Sequence, residues 1–169
     1  SVTALCACNG GSSGKKGSED LVSAVVGITQ DLDSLDPHKA VAAGTKEVMF
    51  NVFEGLMKPT SAGDLIPAVA ETYKVSKDRL TYTFTLREGV KYHNGDTVTA
   101  EDVVYSIERC ADPEKGDLLV AAFTNIESIS TPDDKTIEIM LVESNADFLA
   151  SLDNAVIPAA NEDPDRVAI

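Results

Sequence analysis

The sequence predicts an α+β or mixed α/β fold, and three observations carry the prediction. Leu80, Tyr82, Phe84 and Leu86 alternate with Thr81, Thr83 and Thr85, the period-two pattern of a strand with one buried face. Thr99 stands three residues before Asp102, as an N-cap stands before an acidic N3, and Val103, Val104, Ile107 and Cys110 follow at helical spacing. Ile137, Ile139 and Leu141 then alternate beyond the turn signal Pro132-Asp133-Asp134. Hairpins and helices in this mixture, without regular βαβ repeats, define the class.

Taken in order, the apolar run Val22 to Thr29 reads as a strand, and a polar loop follows through Asp31, Asp33 and Asp36-Pro37. A helix is expected over 44–55, with Val48, Met49, Val52, Phe53 and Leu56 on one stripe. Pro59 to Gly63 interrupts the pattern. Thr72 to Val75 and Leu80 to Leu86 form a hairpin-like pair. Gly89 and Asn94-Gly95 supply residues tolerant of positive φ, so the chain turns twice before Thr99. The Thr99 helix ends at Asp112-Pro113. A second hairpin pairs Asn125 to Ile129 with Thr136 to Leu141. A short helix at Ala146 to Leu152 and a strand at Ala155 to Pro158 complete the reading.

Composition narrows the function classes. A chain of 169 residues with 43% apolar content suits one domain of ordinary size behind a tail. No run approaches the roughly 18 consecutive apolar residues of a membrane span. The net charge of −14 excludes phosphate-backbone binding, so nucleic acid is not a partner. The charges are spread along the chain, as on a solvated surface. Cys6, Cys8 and Cys110 make no disulfide framework. Cys110 falls on the apolar face of its helix, as a small core residue.

The candidate chemistry is sparse. Gly10-Gly-Ser-Ser-Gly14 matches a nucleophile-elbow pattern but lies in a low-complexity run with no strand before it or helix after it. His38 reads as a polar turn residue, and His93 flanks a tight turn. Neither has a triad partner at a recognisable spacing. Asp31, Asp33 and Asp36 suggest a hard-cation cluster but lack the glycine and distal glutamate of a calcium loop, so they read as polar loop residues. No catalytic residue, metal-ligand set or cofactor is expected.

Several ordered segments point further. "LDPHKA" at Leu35 to Ala40, "FEGLMK" at Phe53 to Lys58, "IPAVAETYKVS" at Ile66 to Ser76 and "YTFTLREGVKYHNGDTVTAEDVVYSIER" at Tyr82 to Arg109 follow in sequence. "STPDDKTIEIML" and "ADFLASL" come after them. Together they resemble the extracellular solute-binding proteins of peptide/nickel-type ABC importers. The resemblance implies a two-lobed binding fold, of which this chain carries a first-lobe strand and a small subdomain, the second lobe being missing. It implies a non-catalytic protein that captures short peptides outside the cell and delivers them to ABC permease subunits.

By the same resemblance, cleft-facing positions are Ala40, Val41, Ala42, Ala43, Gly44 and Thr45, together with Leu118 and Leu119 beyond the Thr99 helix. Small residues at Ala40, Ala42, Ala43 and Gly44 suit a close backbone approach to a ligand, and they suit the start of a helix equally. Other ligands of the same scaffold are a nickel chelate, haem or an oligosaccharide. A surface sensor or interaction lipoprotein is a further reading.

The N-terminus adds a location. Leu5-Cys6-Ala7-Cys8 fits a bacterial lipobox, so residues 1–8 read as the end of a signal peptide with Cys8 lipidated. Residues 9–20 read as a flexible Gly/Ser-rich tether and 21–169 as the incomplete binding domain. The expected place is the outer face of the cytoplasmic membrane, through the lipid anchor, or the periplasm.

Overall fold

The computed structural model describes Gly27 and residues 31–112 and 120–160. The lipobox, the tether, Leu118 and Leu119, and all but Gly27 of the expected first strand lie outside the described residues. The elements are α1 (Ala43–Val52), β1 (Met57–Pro59), β2 (Leu65–Pro67), β3 (Ala70–Val75), β4 (Thr81–Leu86), α2 (Ala100–Ala111), β5 (Ile126–Asp133) and β6 (Thr136–Leu141). Short 3₁₀ helices occupy Ala121–Asn125 and Ala150–Asp153. This is the α+β mixture the alternating patterns predict.

β3, β4, β6 and β5 lie side by side in that order, all antiparallel. The register sets Tyr82 opposite Ile139 and Phe84 opposite Ile137. Because side chains alternate across a strand, these four share one face, and all are buried. Val103, Ile107 and Cys110 of α2 join the same core, as do Phe123 and Phe148. The Tyr82 and Phe148 rings lie 4.9 Å apart, centroid to centroid. Each large side chain buried here contributes about 1.5–3 kcal/mol. The opposite face carries Thr81, Thr83 and Thr85, which explains the clean alternation in the sequence.

α2 begins where the sequence places it. Thr99 accepts from the Asp102 amide, and the Asp102 carboxylate accepts from the Thr99 amide at 2.9 Å, closing a capping box. The helix stops at Asp112, which precedes Pro113. The Asn94-Gly95 turn forms as expected, with the positive φ taken by Gly95 at 95°.

Three local expectations are corrected. The first helix stops at Val52 rather than 55, because Phe53 is extended. The backbone beyond it is needed elsewhere: Gly55 and Leu56 carbonyls accept from the Val69 and Ala68 amides. Consequently the expected stripe divides, with Met49 buried on the helix, Leu56 buried from the extended segment, and Val52 left 37% exposed. Secondly, Ala146 to Leu152 is a turn leading into the 3₁₀ helix rather than a regular helix.

The third correction concerns Ala155 to Pro158, which joins no sheet. Its amides bond elsewhere. Val156 N–H donates to the Glu54 carbonyl, Ile157 N–H to Ser106 Oγ at 2.9 Å, and Ala159 N–H to Asp102 Oδ1 at 2.8 Å. Side chains of α2 replace a ladder. Gly55 lies against the same region: a Cβ there would sit 2.4 Å from the Leu152 carbonyl oxygen and 2.7 Å from that of Asn154. Only glycine fits so close to backbone.

Candidate ligand-contacting site

The run Ala40 to Thr45 enters α1, and the structure shows how it is held. Asp33 Oδ2 accepts from the Val41 and Ala42 amides at 2.8 and 2.9 Å. Thr45 Oγ1 accepts from the Asp33 amide at 3.2 Å. Thr45 with the Ala42 and Val41 amides holds the Asp33 carboxyl down at about 2. Asp33 therefore occupies the helix start that would otherwise attract an external anion.

The expected contact residues do not all point one way. Val41 is 67% exposed and Ala43 is exposed, whereas Ala40 and Thr45 are buried. Ala42 and Gly44 are half-buried, and a Cβ at Gly44 would meet nothing within 4 Å. The helix start thus leaves Val41 and Ala43 exposed and open space at Gly44, with the Val41 and Ala42 amides and Thr45 committed to Asp33. Leu118 and Leu119 lie outside the described residues.

Below the run lies a buried polar network that the sequence reading missed. Asp36 and His38 are buried in the turn, and Arg109 reaches them from α2. Arg109 Nη2 donates to Asp36 Oδ2 at 2.5 Å and Nη1 to Oδ1 at 3.1 Å, a bidentate pair. Asp36 Oδ1 also accepts from the His38 amide at 2.9 Å. Burial opposes the Arg109 charge, but the bonds and charge of Asp36 outweigh it and raise its pKa. The expectation of Asp36 and His38 as polar loop residues is corrected: both are interior groups.

Two further expectations can be placed. Asp33 and Asp36 face different partners, and no group of three histidine, cysteine, aspartate or glutamate side chains suited to a metal occurs among the described residues. Cys110 is buried, as its helical position predicts. Its thiol donates to Asn154 Oδ1 at 3.5 Å, and burial pushes its pKa up to about 11.

Beside the network a cavity of about 710 Å³ opens, lined by Met49, Phe50, Phe53, Met57, Lys46 and Asp153 among others. Burial raises the Asp153 pKa. Of the expected contact residues, Ala40 borders this space. Apolar walls with a few charged groups are the make-up of a ligand-binding surface.

Comparisons with known proteins agree with that class. Residues 64–168 match the sequence model of the bacterial extracellular solute-binding proteins, family 5 Middle. The dipeptide-binding protein DppE of Bacillus subtilis is 32% identical over 174 residues, covering 90% of this chain and 32% of its own length. The substrate-binding domain of an oligopeptide ABC transporter from Bacillus anthracis superposes with a TM-score of 0.71 at 27% identity, over 78% of this chain and 29% of that one. NikZ of Campylobacter jejuni, solved with Ni(L-His), superposes with a TM-score of 0.59 at 31% identity, over 63% of this chain and 22% of that one. The chain thus spans about a third or less of these relatives. It belongs to the bacterial extracellular solute-binding proteins of family 5.

Proposed function

We propose that the protein captures short peptides outside the cell for an ABC importer and performs no chemistry on them. The observation that supports this most is the likeness to DppE over 90% of the chain, together with the open space at Gly44. In this reading Ala40, Val41, Ala42, Ala43, Gly44 and Thr45 form part of one cleft wall, with Leu118 and Leu119 beside them. The relatives are some three times longer, and a peptide is assigned a second wall from that additional length. Cys8 anchors the protein to the outer membrane face through a lipid, and residues 9–20 act as the tether.

Calorimetry with mixed short peptides tests the reading. The 169-residue chain alone should bind very weakly, because one wall halves the contact area and leaves the peptide termini in water. A version extended by the second lobe should bind. In that version Gly44→Val should weaken binding, since its Cβ has room to project without disturbing the fold. Val98→Ala, at a half-buried position packed on the core, should change stability alone. Tight binding by the short chain, or an unaffected Gly44→Val variant, rejects this cleft assignment. Labelled palmitate should be incorporated by the wild type and by Cys6→Ala but not by Cys8→Ala.

A nickel chelate is the second reading, favoured by the likeness to NikZ with its bound Ni(L-His). The same calorimetry with Ni²⁺ and histidine separates the two.

A further inference from the structure

We infer that His38 is an acid-sensitive pin, whose protonation unties the segment 36–45 from Ala155 while Asp36 stays on Arg109 and the 41–42 amides stay on Asp33. Hydrogen-bond direction fixes the state of the ring. His38 is 2% exposed, and both of its ring nitrogens are engaged. Nε2 lies 2.7 Å from the Ala155 carbonyl oxygen, which only accepts, so Nε2 carries the proton; the Asn154 Nδ2 amide group, farther off at 3.4 Å, donates to the Ser106 carbonyl instead. Nδ1 lies 3.3 Å from Arg109 Nη1, which only donates, so Nδ1 must present its lone pair. The surroundings therefore fit a single neutral tautomer.

A second proton has no place to go. It would set a donor on Nδ1 against the guanidinium donor of Arg109, and a positive charge beside a positive charge. Asp36 supplies no relief, because both of its oxygens are already taken by Arg109 and one also by the His38 amide. The other ionisable groups near the ring are Cys110 and Tyr105 on α2, Asp153 beside Asn154, and Lys46, Glu54 and Lys58 around the adjoining cavity. None of them has a bond to the imidazole. Burial, and secondarily Arg109, lower the His38 pKa from 6.5, against the opposing bond to Ala155 and the charge of Asp36. A charged ring is thus relieved by turning out into solvent, which breaks the bond to Ala155.

That bond joins residues 117 positions apart, and it ties the turn at Asp36 to the segment beside α2. Once it breaks, the run 40–45 retains Asp33 and, through Asp36, Arg109 as anchors but loses its tie across to Ala155, and its motion grows. For a lowered histidine pKa the sign is clear: the pin is fully engaged above the free-histidine value of 6.5 and is lost as pH falls below it. The released population rises by up to about tenfold per pH unit in that range. The release itself does not depend on the ligand. Its consequence, weaker peptide capture in acid, rests on the reading given under Proposed function.

The test uses the whole 169-residue chain without ligand. With His93→Gln, which is exposed, a single imidazole remains and its nuclear resonance can be titrated. The midpoint should lie below 6.5, and amide exchange of residues 39–45, corrected for intrinsic rates, should accelerate between pH 7.5 and 5. Amides of Tyr82 to Leu86 should keep their protection, and His38→Gln should flatten the dependence. A midpoint at or above 6.5, pH-independent exchange at 39–45, an unchanged dependence in His38→Gln, or loss of protection in β4 at the same pH would each overturn the inference. If His38→Gln fails to fold, the wild-type titration and exchange decide alone. Loss of peptide binding with the pH response intact would fault the ligand reading and leave the pin standing.

Discussion

At Gly55 and Gly44 the same small change should have opposite signs. A Cβ at Gly55 collides with the backbone of Leu152 to Asn154, which cannot give way without moving a packed segment. Gly55→Ala should lower stability by about 3 kcal/mol. Gly44 lies in α1 with open space around its Cβ, so Gly44→Ala should add about 0.5–1 kcal/mol by helix propensity. Urea midpoints of the two variants give the comparison directly. Arg109 has a different kind of dependence. Arg109→Met strands the Asp36 carboxylate, which is 0% exposed, and should lose about 3–5 kcal/mol. Adding Asp36→Leu removes the stranded charge, so the double variant should recover part of that loss. Equal losses in the single and double variants would show that packing, not charge, sets the effect.

Individual elements show why some of the fold was legible. α2 was readable because its cap, its acidic N3 and its apolar spacing are all local, and β4 because one face meets core and the other meets water. Ala155 to Pro158 was not. Its Val156 and Ile157 amides are satisfied by the Glu54 carbonyl and Ser106 Oγ, far earlier in the chain, so an apolar run there imitates a strand. The burial of His38 was missed for the same reason, since its partner Arg109 is about seventy residues away. β1 and β2 are three residues long, too short for a period to register. Asp102 joins the two kinds of contact. Thr99→Ala should cost about 1 kcal/mol as a lost cap. Asp102→Ala should cost about 2–3 kcal/mol, because the Ala159 amide also loses its acceptor. Thermal unfolding of both variants should rank them in that order. Asp33 behaves differently from His38 in acid: its carboxyl is depressed, so its hold on 41–42 is present above 3.8 and is lost only as pH falls through about 2.

Across the whole molecule, apolar exposure is uneven. Leu32, Leu35, Val41, Phe50 and Val52 are all exposed by more than a third, and they fall within one stretch of twenty-one residues. Tyr73 and Val75 of β3 and Met140 of β6 are exposed to a similar degree, whereas the core face of the sheet and of α2 is buried. Exposed apolar side chains favour association where they gather. The chain should therefore bind an apolar dye or self-associate, with exchange protection strongest over β4 and β6. A dye-silent monomer protected uniformly from 31 to 160 would contradict this. The likeness to family relatives was legible over most of the chain, whereas the contact run was legible only as a stretch of small residues. What fixes that run, the Asp33 carboxylate, is eight residues before the first amide it holds and carries no local signature.

The contact between His38 and Ala155 also says how the chain passes through this fold. The turn at Asp36 and the segment at Ala155 touch through the His38 ring, with every sheet strand between them in sequence. A unit whose entrance and exit are neighbours can be carried on a surface loop of another domain at little closure entropy. It is then attached by two parallel threads rather than one. Such a mounting resists free rotation while permitting a rocking motion about the line joining the threads.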